Sequence, residues 1–293
     1  MEALRETLVI AGQDVKNALR SVKAIVFLAL YAVGALGSGA FVVWQLARIN
    51  KVADKQIASL ATQLSPEQVA QAKHKLLLQA LGHFISDPKQ VAYYIAIPVI
   101  VLFFFWVTRT FLPFLISLMS YDQVNGEVYN RSIRFTLLRS RRGAFVAGKI
   151  LSNMVVILGI TVVTNLLLVG LSVWLIPDFK LSSAFLPLLR FWALTLPYAL
   201  CFVGFLSLLS SLIRSPFVTV LVGFFGIVLM WLLYLLFAVW DAVHVARWAI
   251  PFAYNDWLSS YLPSHQLAGA AVFLGFGLLF AALSYLTLRV KDV

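Results

Sequence analysis

The segment Gly143-Ala144-Phe145-Val146-Ala147-Gly148-Lys149 has the glycine and lysine spacing of a phosphate-binding loop. In such a loop the glycines let backbone N–H groups close on phosphates and the lysine reaches them. The next position fails: Ile150 stands where a Ser or Thr must hold Mg²⁺, and no strand pattern precedes the segment. Nucleotide binding in this chain is therefore rejected. His74, His83, His244 and His265 fall in loops expected outside the membrane, without HExxH spacing, and no GxSxG occurs. Asp241 and His244 stand three apart, a pairing far commoner in surface contacts than in metal sites. Cys201, the only thiol, excludes an intrachain disulfide and zinc spacing alike. The chain is expected to be non-catalytic, with no cofactor or metal of its own.

Two sets of charges remain. Arg109 is the one charge inside an expected membrane span, and an intramembrane charge is costly enough to suggest a function. The plainer reading is favoured: its span is longer than needed, so the helix leaves the bilayer early and Arg109 lies at the cytoplasmic interface, with a substrate or partner contact second. The other set lies between Tyr121 and Lys149. Asp122, Gly126-Glu127, Arg131-Ser132-Ile133-Arg134, Leu137-Leu138-Arg139-Ser140-Arg141-Arg142 and Gly148-Lys149 follow one another. Charge alone would make this an ordinary basic loop; the order of residues is more specific.

These residues need a membrane scaffold. Of 293 residues 61% are hydrophobic and 12% charged, against about 45–50% apolar in a soluble domain. A single-domain cytosolic enzyme is thereby excluded. A span takes about 20 apolar residues, and six stretches qualify: Ala24–Leu46, Val91–Met119, Ile150–Ile176, Phe191–Leu212, Val218–Trp240 and Leu267–Leu288. The expected fold is an all-α polytopic membrane protein of six transmembrane helices. The net charge of +11 then speaks of orientation, not of nucleic acid. Thirteen basic residues fall on the side of the termini and the 120–149 loop and nine on the other, so both termini are placed in the cytoplasm.

Residues 1–23 carry Leu4, Leu8, Ala11, Val15, Leu19 and Val22 on one helical stripe. An amphipathic elbow at the membrane interface and a helix packed on the protein itself both fit. Residues 24–293 form the six-span domain. In its external insert, 47–90, Ser65-Pro66-Glu67-Gln68 reads as a helix start and predicts a helical hairpin. The external segment 241–266 is rich in Trp, Tyr and Pro, as bilayer interfaces favour, and reads as short dipping helices or an aromatic-anchored loop. Gly34, Gly37, Gly39, Gly223, Gly226 and Gly277 with Ala281 are candidates for close helix contacts.

The 120–149 loop resembles the signature of bacterial ABC-2 type permeases, the membrane subunits of ABC transporters that mostly export. The positions that match are Asp122, Gly126, Glu127, Ser132, Ile133, Arg134, Leu137, Leu138, Arg142, Gly148 and Lys149; Arg131 replaces the family's usual Gly, and Ser132 its Thr. The six-span layout, elbow and aromatic segment are similar to the family over nearly the whole chain. The resemblance implies that a separate ABC ATPase subunit, holding ATP and Mg, binds this loop through a short coupling helix. Asp122, Gly126, Glu127, Arg131, Arg134, Arg141, Arg142 and Lys149 would be its ATPase-coupling residues, Glu127 either capping that helix or pairing with an Arg of the loop. It also implies a homodimer in the bacterial plasma (inner) membrane. The alternative is a membrane anchor or assembly subunit whose external hairpin recruits a periplasmic or cell-surface protein. Spans rich in Phe and Leu suit a lipid-like or amphipathic substrate better than a small ion.

Overall fold

The computed structural model describes residues 2–22, 25–35, 37–41, 44, 48, 87–130, 132–133, 136, 138, 140–175, 179 and 181–291. Every regular element among them is helical: α1 (Glu2–Leu19), an apolar α2 (Ile25–Phe41), α3 (Pro88–Ala96), α4 (Val99–Ser120), α5 (Asn125–Tyr129), α6 (Arg142–Leu175), α7 (Leu181–Leu212), α8 (Pro216–Val239), α9 (Asn255–Leu258) and α10 (Pro263–Val290). The helices α4, α6, α7, α8 and α10 are long and apolar enough to cross a membrane. The expected first span is represented by the shorter α2. The hairpin expected within 47–90 lies almost wholly outside the described residues.

The expected second span, Val91–Met119, is not one helix. Asp87 caps α3, its carboxylate accepting from the Lys89 N–H at 2.9 Å. The helix then stops at Ile97, whose backbone is extended, and α4 starts afresh at Val99. Pro98 is the cause, since it has no N–H to continue the ladder and disfavours helical geometry in the residue before it. At the other end α6 begins eight residues before the apolar stretch that opens at Ile150. Its first turns, Arg142–Lys149, belong to the polar loop rather than to the span.

The chain packs as two compact units: Met1–Tyr31, Thr108–Val162 and Trp192–Val293 make the first, and Ala32–Val107 with Val163–Phe191 the second. In the second, Gly39 sits so close to Leu168 that an added Cβ would lie 2.7 Å from its Cδ2, and Phe105 stacks on Phe191 at 4.4 Å. Gly34 and Gly37 have nothing within 4 Å of such a Cβ. In the first unit α7 and α10 meet backbone to backbone. A Cβ on Gly204 would come within 2.7 Å of the Gly277 carbonyl oxygen, and one on Gly277 within 3.0 Å of the Leu200 carbonyl oxygen. Further along, the Ser207 and Ser284 hydroxyls share a hydrogen bond of 3.1 Å. Tyr198 wedges edge-on between Phe202 and Phe273 in the same core.

The segment 241–266 resolves the choice left by its composition. It forms 3₁₀ turns at Asp241–Ala249 and Pro251–Tyr254 and then the single-turn α9, so short helices replace a bare loop. Trp248, Tyr254 and Trp257 pack on one another within 6 Å, and Trp257 stacks on His265.

Candidate functional site

The 120–149 loop is rooted by polar groups that the apolar spans provide at few places. After Ser120 the chain turns through Tyr121–Val124. There one hydroxyl, Ser210 Oγ on α7, accepts both the Val124 and Asn125 N–H groups at 3.0 Å. The Asn125 amide donates to the Ile213 carbonyl at 3.2 Å and to Thr219 Oγ1 on α8 at 2.8 Å. Gln123 donates to the Val203 carbonyl at 3.2 Å and accepts from Asn153 of α6 at 2.8 Å. Buried amides cost free energy unless paired, so this network ties the turn to three helices in one register.

Above the root, Lys149 gathers two carboxylates. Its Nζ lies 2.5 Å from Glu127 Oε1 and 2.9 Å from Asp14 Oδ2, and its side chain is only 11% exposed. Burial pulls the ammonium's pKa down, but the Glu127 and Asp14 charges more than reverse this, leaving it above the ordinary lysine value. Thr136 also donates to Glu127, at 3.0 Å. The N–H groups that open α5 are taken by Ser210, and among the described residues Glu127 pairs with Lys149 rather than with an Arg of the loop. It joins α5 to α6.

Gly148 explains how Asp14 arrives. A Cβ there would lie 2.8 Å from Ile10 Cγ2 and 3.1 Å from the Thr7 carbonyl oxygen, so α1 seats directly on this bare backbone. One helical turn beyond Ile10 comes Asp14, which the seat carries to Lys149. On the same face Glu6 accepts from the Arg141 N–H at 3.0 Å, and Glu2 pairs with the Arg141 guanidinium at 3.3 Å. The face of α1 that meets the protein carries Glu2, Glu6 and Asp14 together with Ile10 and the buried Ala11, whereas Leu4, Leu8, Leu19 and Val22 of the apolar stripe are exposed.

Arg142 reaches the far end of the chain. Its Nη1 donates to the Leu288 and Arg289 carbonyls at 2.9 and 2.8 Å, satisfying acceptors that the end of α10 leaves open. Lys291 does the same for α7, donating to Ser211 and Leu212. Asp122 and Gly126 stack one helical turn apart, the Gly126 N–H donating to the Asp122 carbonyl at 3.0 Å. Arg131 and Arg134 lie outside the described residues. A cavity of about 670 Å³ opens between α1 and the loop, lined by Arg5, Glu6, Ile10, Thr136, Leu138 and Ser140 among others. Tyr129 (73% exposed) and Leu138 (83%) stand clear of the protein.

Arg109 is elsewhere. It lies near the middle of α4, which runs to Ser120. Its Nη1 donates to the Asn255 carbonyl at 3.1 Å and to Ser259 Oγ at 3.3 Å, with Asp256 Oδ1 at 3.8 Å. The partners come from the segment between α8 and α10, folded against α4. Tyr198 donates to the Arg109 carbonyl, holding the backbone at this point.

Sequence reasoning missed Asp14, the Gln123–Asn125–Asn153 network and the Arg109 partners. Only Asp14 had a legible signal: Glu2, Glu6, Ile10 and Asp14 recur every four residues along a helix otherwise basic.

These elements define a multi-pass membrane protein, all-helical among the described residues, with a charged junction at the start of α6. The chain belongs to the ABC-2 family transporter proteins, whose family model matches residues 8–288. It is a membrane permease component of an ABC transporter. No curated protein matches it.

Proposed function

We propose that this chain is the permease subunit of an ABC exporter in a bacterial plasma membrane, working as two copies, with both termini cytoplasmic. A separate ATPase binds the 120–149 loop and drives extrusion of an amphipathic substrate. The family match carries the reading, and the loop geometry supports it. The root of the loop is fixed by Glu127, Lys149 and Asp14, while Tyr129 and Leu138 offer exposed apolar anchors beside the charged cavity. A rigid root with an exposed tip passes a push on the tip into α6, α7 and α1. Interfaces draw most of their energy from a few such anchors in contact with a partner.

Tagged protein purified from its native membrane is expected to bring down a polypeptide with a Walker motif. Leu138→Asp should reduce that yield about tenfold or more, the loss of a central anchor, while the permease itself is recovered at its usual level. An unchanged yield of ATPase with Leu138→Asp would remove the loop from the proposed interface.

A further inference from the structure

The hydrogen bonds of Arg109 to the described residues all leave from one nitrogen, Nη1, which serves the Asn255 carbonyl, Ser259 Oγ and, at 3.8 Å, Asp256. A guanidinium has five N–H groups in a rigid plane, and its Nε–Nη2 edge matches both oxygens of a carboxylate or phosphate. That edge is not engaged by any described residue, and the side chain is 23% exposed, enough for a ligand to reach it. Asp256 is 75% exposed, its Oδ1 3.8 Å from Nη1, beyond hydrogen-bond distance. The mount is stiff: Tyr198, buried between Phe202 and Phe273, holds the Arg109 carbonyl. Arg109 sits in the middle of an apolar helix, where a cation is expensive to leave partly neutralised.

We propose that the Nε–Nη2 edge of Arg109 is a binding point for an oxyanion, phosphate or carboxylate, carried by an amphipathic molecule within the bilayer. The oxyanion would complete the neutralisation that Asp256 begins, and its apolar tail would lie along the exposed apolar side chains of the spans. The same chemistry describes a passenger of the transporter and a resident anionic lipid. The first of these rests on the permease reading; the site itself rests only on the chain being in a membrane.

The probe is an alkyl phosphate bearing a diazirine, with the matching neutral alcohol as control, applied to the full chain in phosphatidylcholine nanodiscs. Adducts are mapped by mass spectrometry. Labelling of α4 and residues 255–259 is expected to favour the phosphate about tenfold, the scale of a charge-assisted bidentate contact. Arg109→Gln should abolish the preference. Arg109→Lys, keeping the charge without the planar edge, should retain only part of it. Asp256→Asn, which removes a competing anion, should raise labelling about threefold. Equal labelling by phosphate and alcohol, or a preference that survives in a well-folded Arg109→Gln protein, overturns the proposal. If Arg109→Gln does not fold, the Asp256→Asn variant decides, and labelling that falls or stays level overturns it. With the ATPase partner and ATP present, a fall in labelling identifies a passenger and constant labelling a lipid, each requiring the site. Failure of the permease reading would show instead as the absence of an ATPase partner, with the labelling unaffected.

Discussion

Lys149→Met is the most direct trial of the charged junction. The substitution leaves Glu127 and Asp14, each with a side chain little more than a fifth exposed, facing each other without their shared cation. Breaking a fully buried ion pair costs about 3–5 kcal/mol, and an exposed one about 0.2–1 kcal/mol. The limited access of water here places the loss at about 2–4 kcal/mol. For a chain of this size that corresponds to a fall of about 4–16 °C in apparent Tm, since each kcal/mol shifts a larger domain by about 2–4 °C. The assay is thermal unfolding in detergent followed by size-exclusion fluorescence. The triple change Asp14→Asn, Glu127→Gln, Lys149→Met removes all three charges and should recover most of the loss, because the penalty comes from the stranded carboxylates and not from the missing bond. A Lys149→Met protein melting within 1 °C of wild type would refute the reasoning; so would a triple variant no better than the single one.

Alkaline titration gives a second view of the same group. Because the folded Lys149 pKa lies above the ordinary value, its stabilisation is complete below the unfolded pKa of about 10.4 and is lost as pH rises through the folded value. The Tm gap between wild type and Lys149→Met should therefore hold from neutral pH to about pH 10 and close only above that, measured in the same unfolding assay. Gly148→Ala should lift α1 from its seat, since Ile10 and the Thr7 carbonyl cannot both retreat from the new methyl group; faster hydrogen exchange across residues 2–19 would report it. Arg142→Ala removes two hydrogen bonds from the end of α10 and is expected to cost about 1–3 kcal/mol, read as a lower melting temperature and earlier proteolysis after Val290. Gly204→Ala places a methyl group against the Gly277 carbonyl oxygen, a case of overpacking worth about 1–3 kcal/mol, whereas Gly34→Ala should be neutral in the same melts.

What the sequence conveyed follows the range of the interactions. Spans are local and additive, so apolar runs located α4, α6, α7, α8 and α10 without help. The break at Ile97–Pro98 was also local, and was lost only because hydropathy rises straight through a proline that the backbone cannot ignore. The Gly148–Lys149 pair was conspicuous in the loop, but its reason was not, because Asp14 and Ile10 lie more than 130 residues away in the chain. Arg109 shows the same limit from the other side. A lone charge in an apolar run says that it needs acceptors, and only the folding of residues 255–259 against α4 says where they are. Gly277 was recognised as a point of close approach, while its counterpart Gly204, in a run of larger residues, was not.

The contact between Gly204 and Gly277 has a mechanical meaning. Two helices held at backbone distance, with a serine pair further along and Tyr198 packed on Phe273, have little room to slide past each other. Separating them would open the backbone contact at Gly204 and Gly277 and the serine pair together, so α7 and α10 are expected to travel as a single strut. A path through this permease component would then have to open along some other seam.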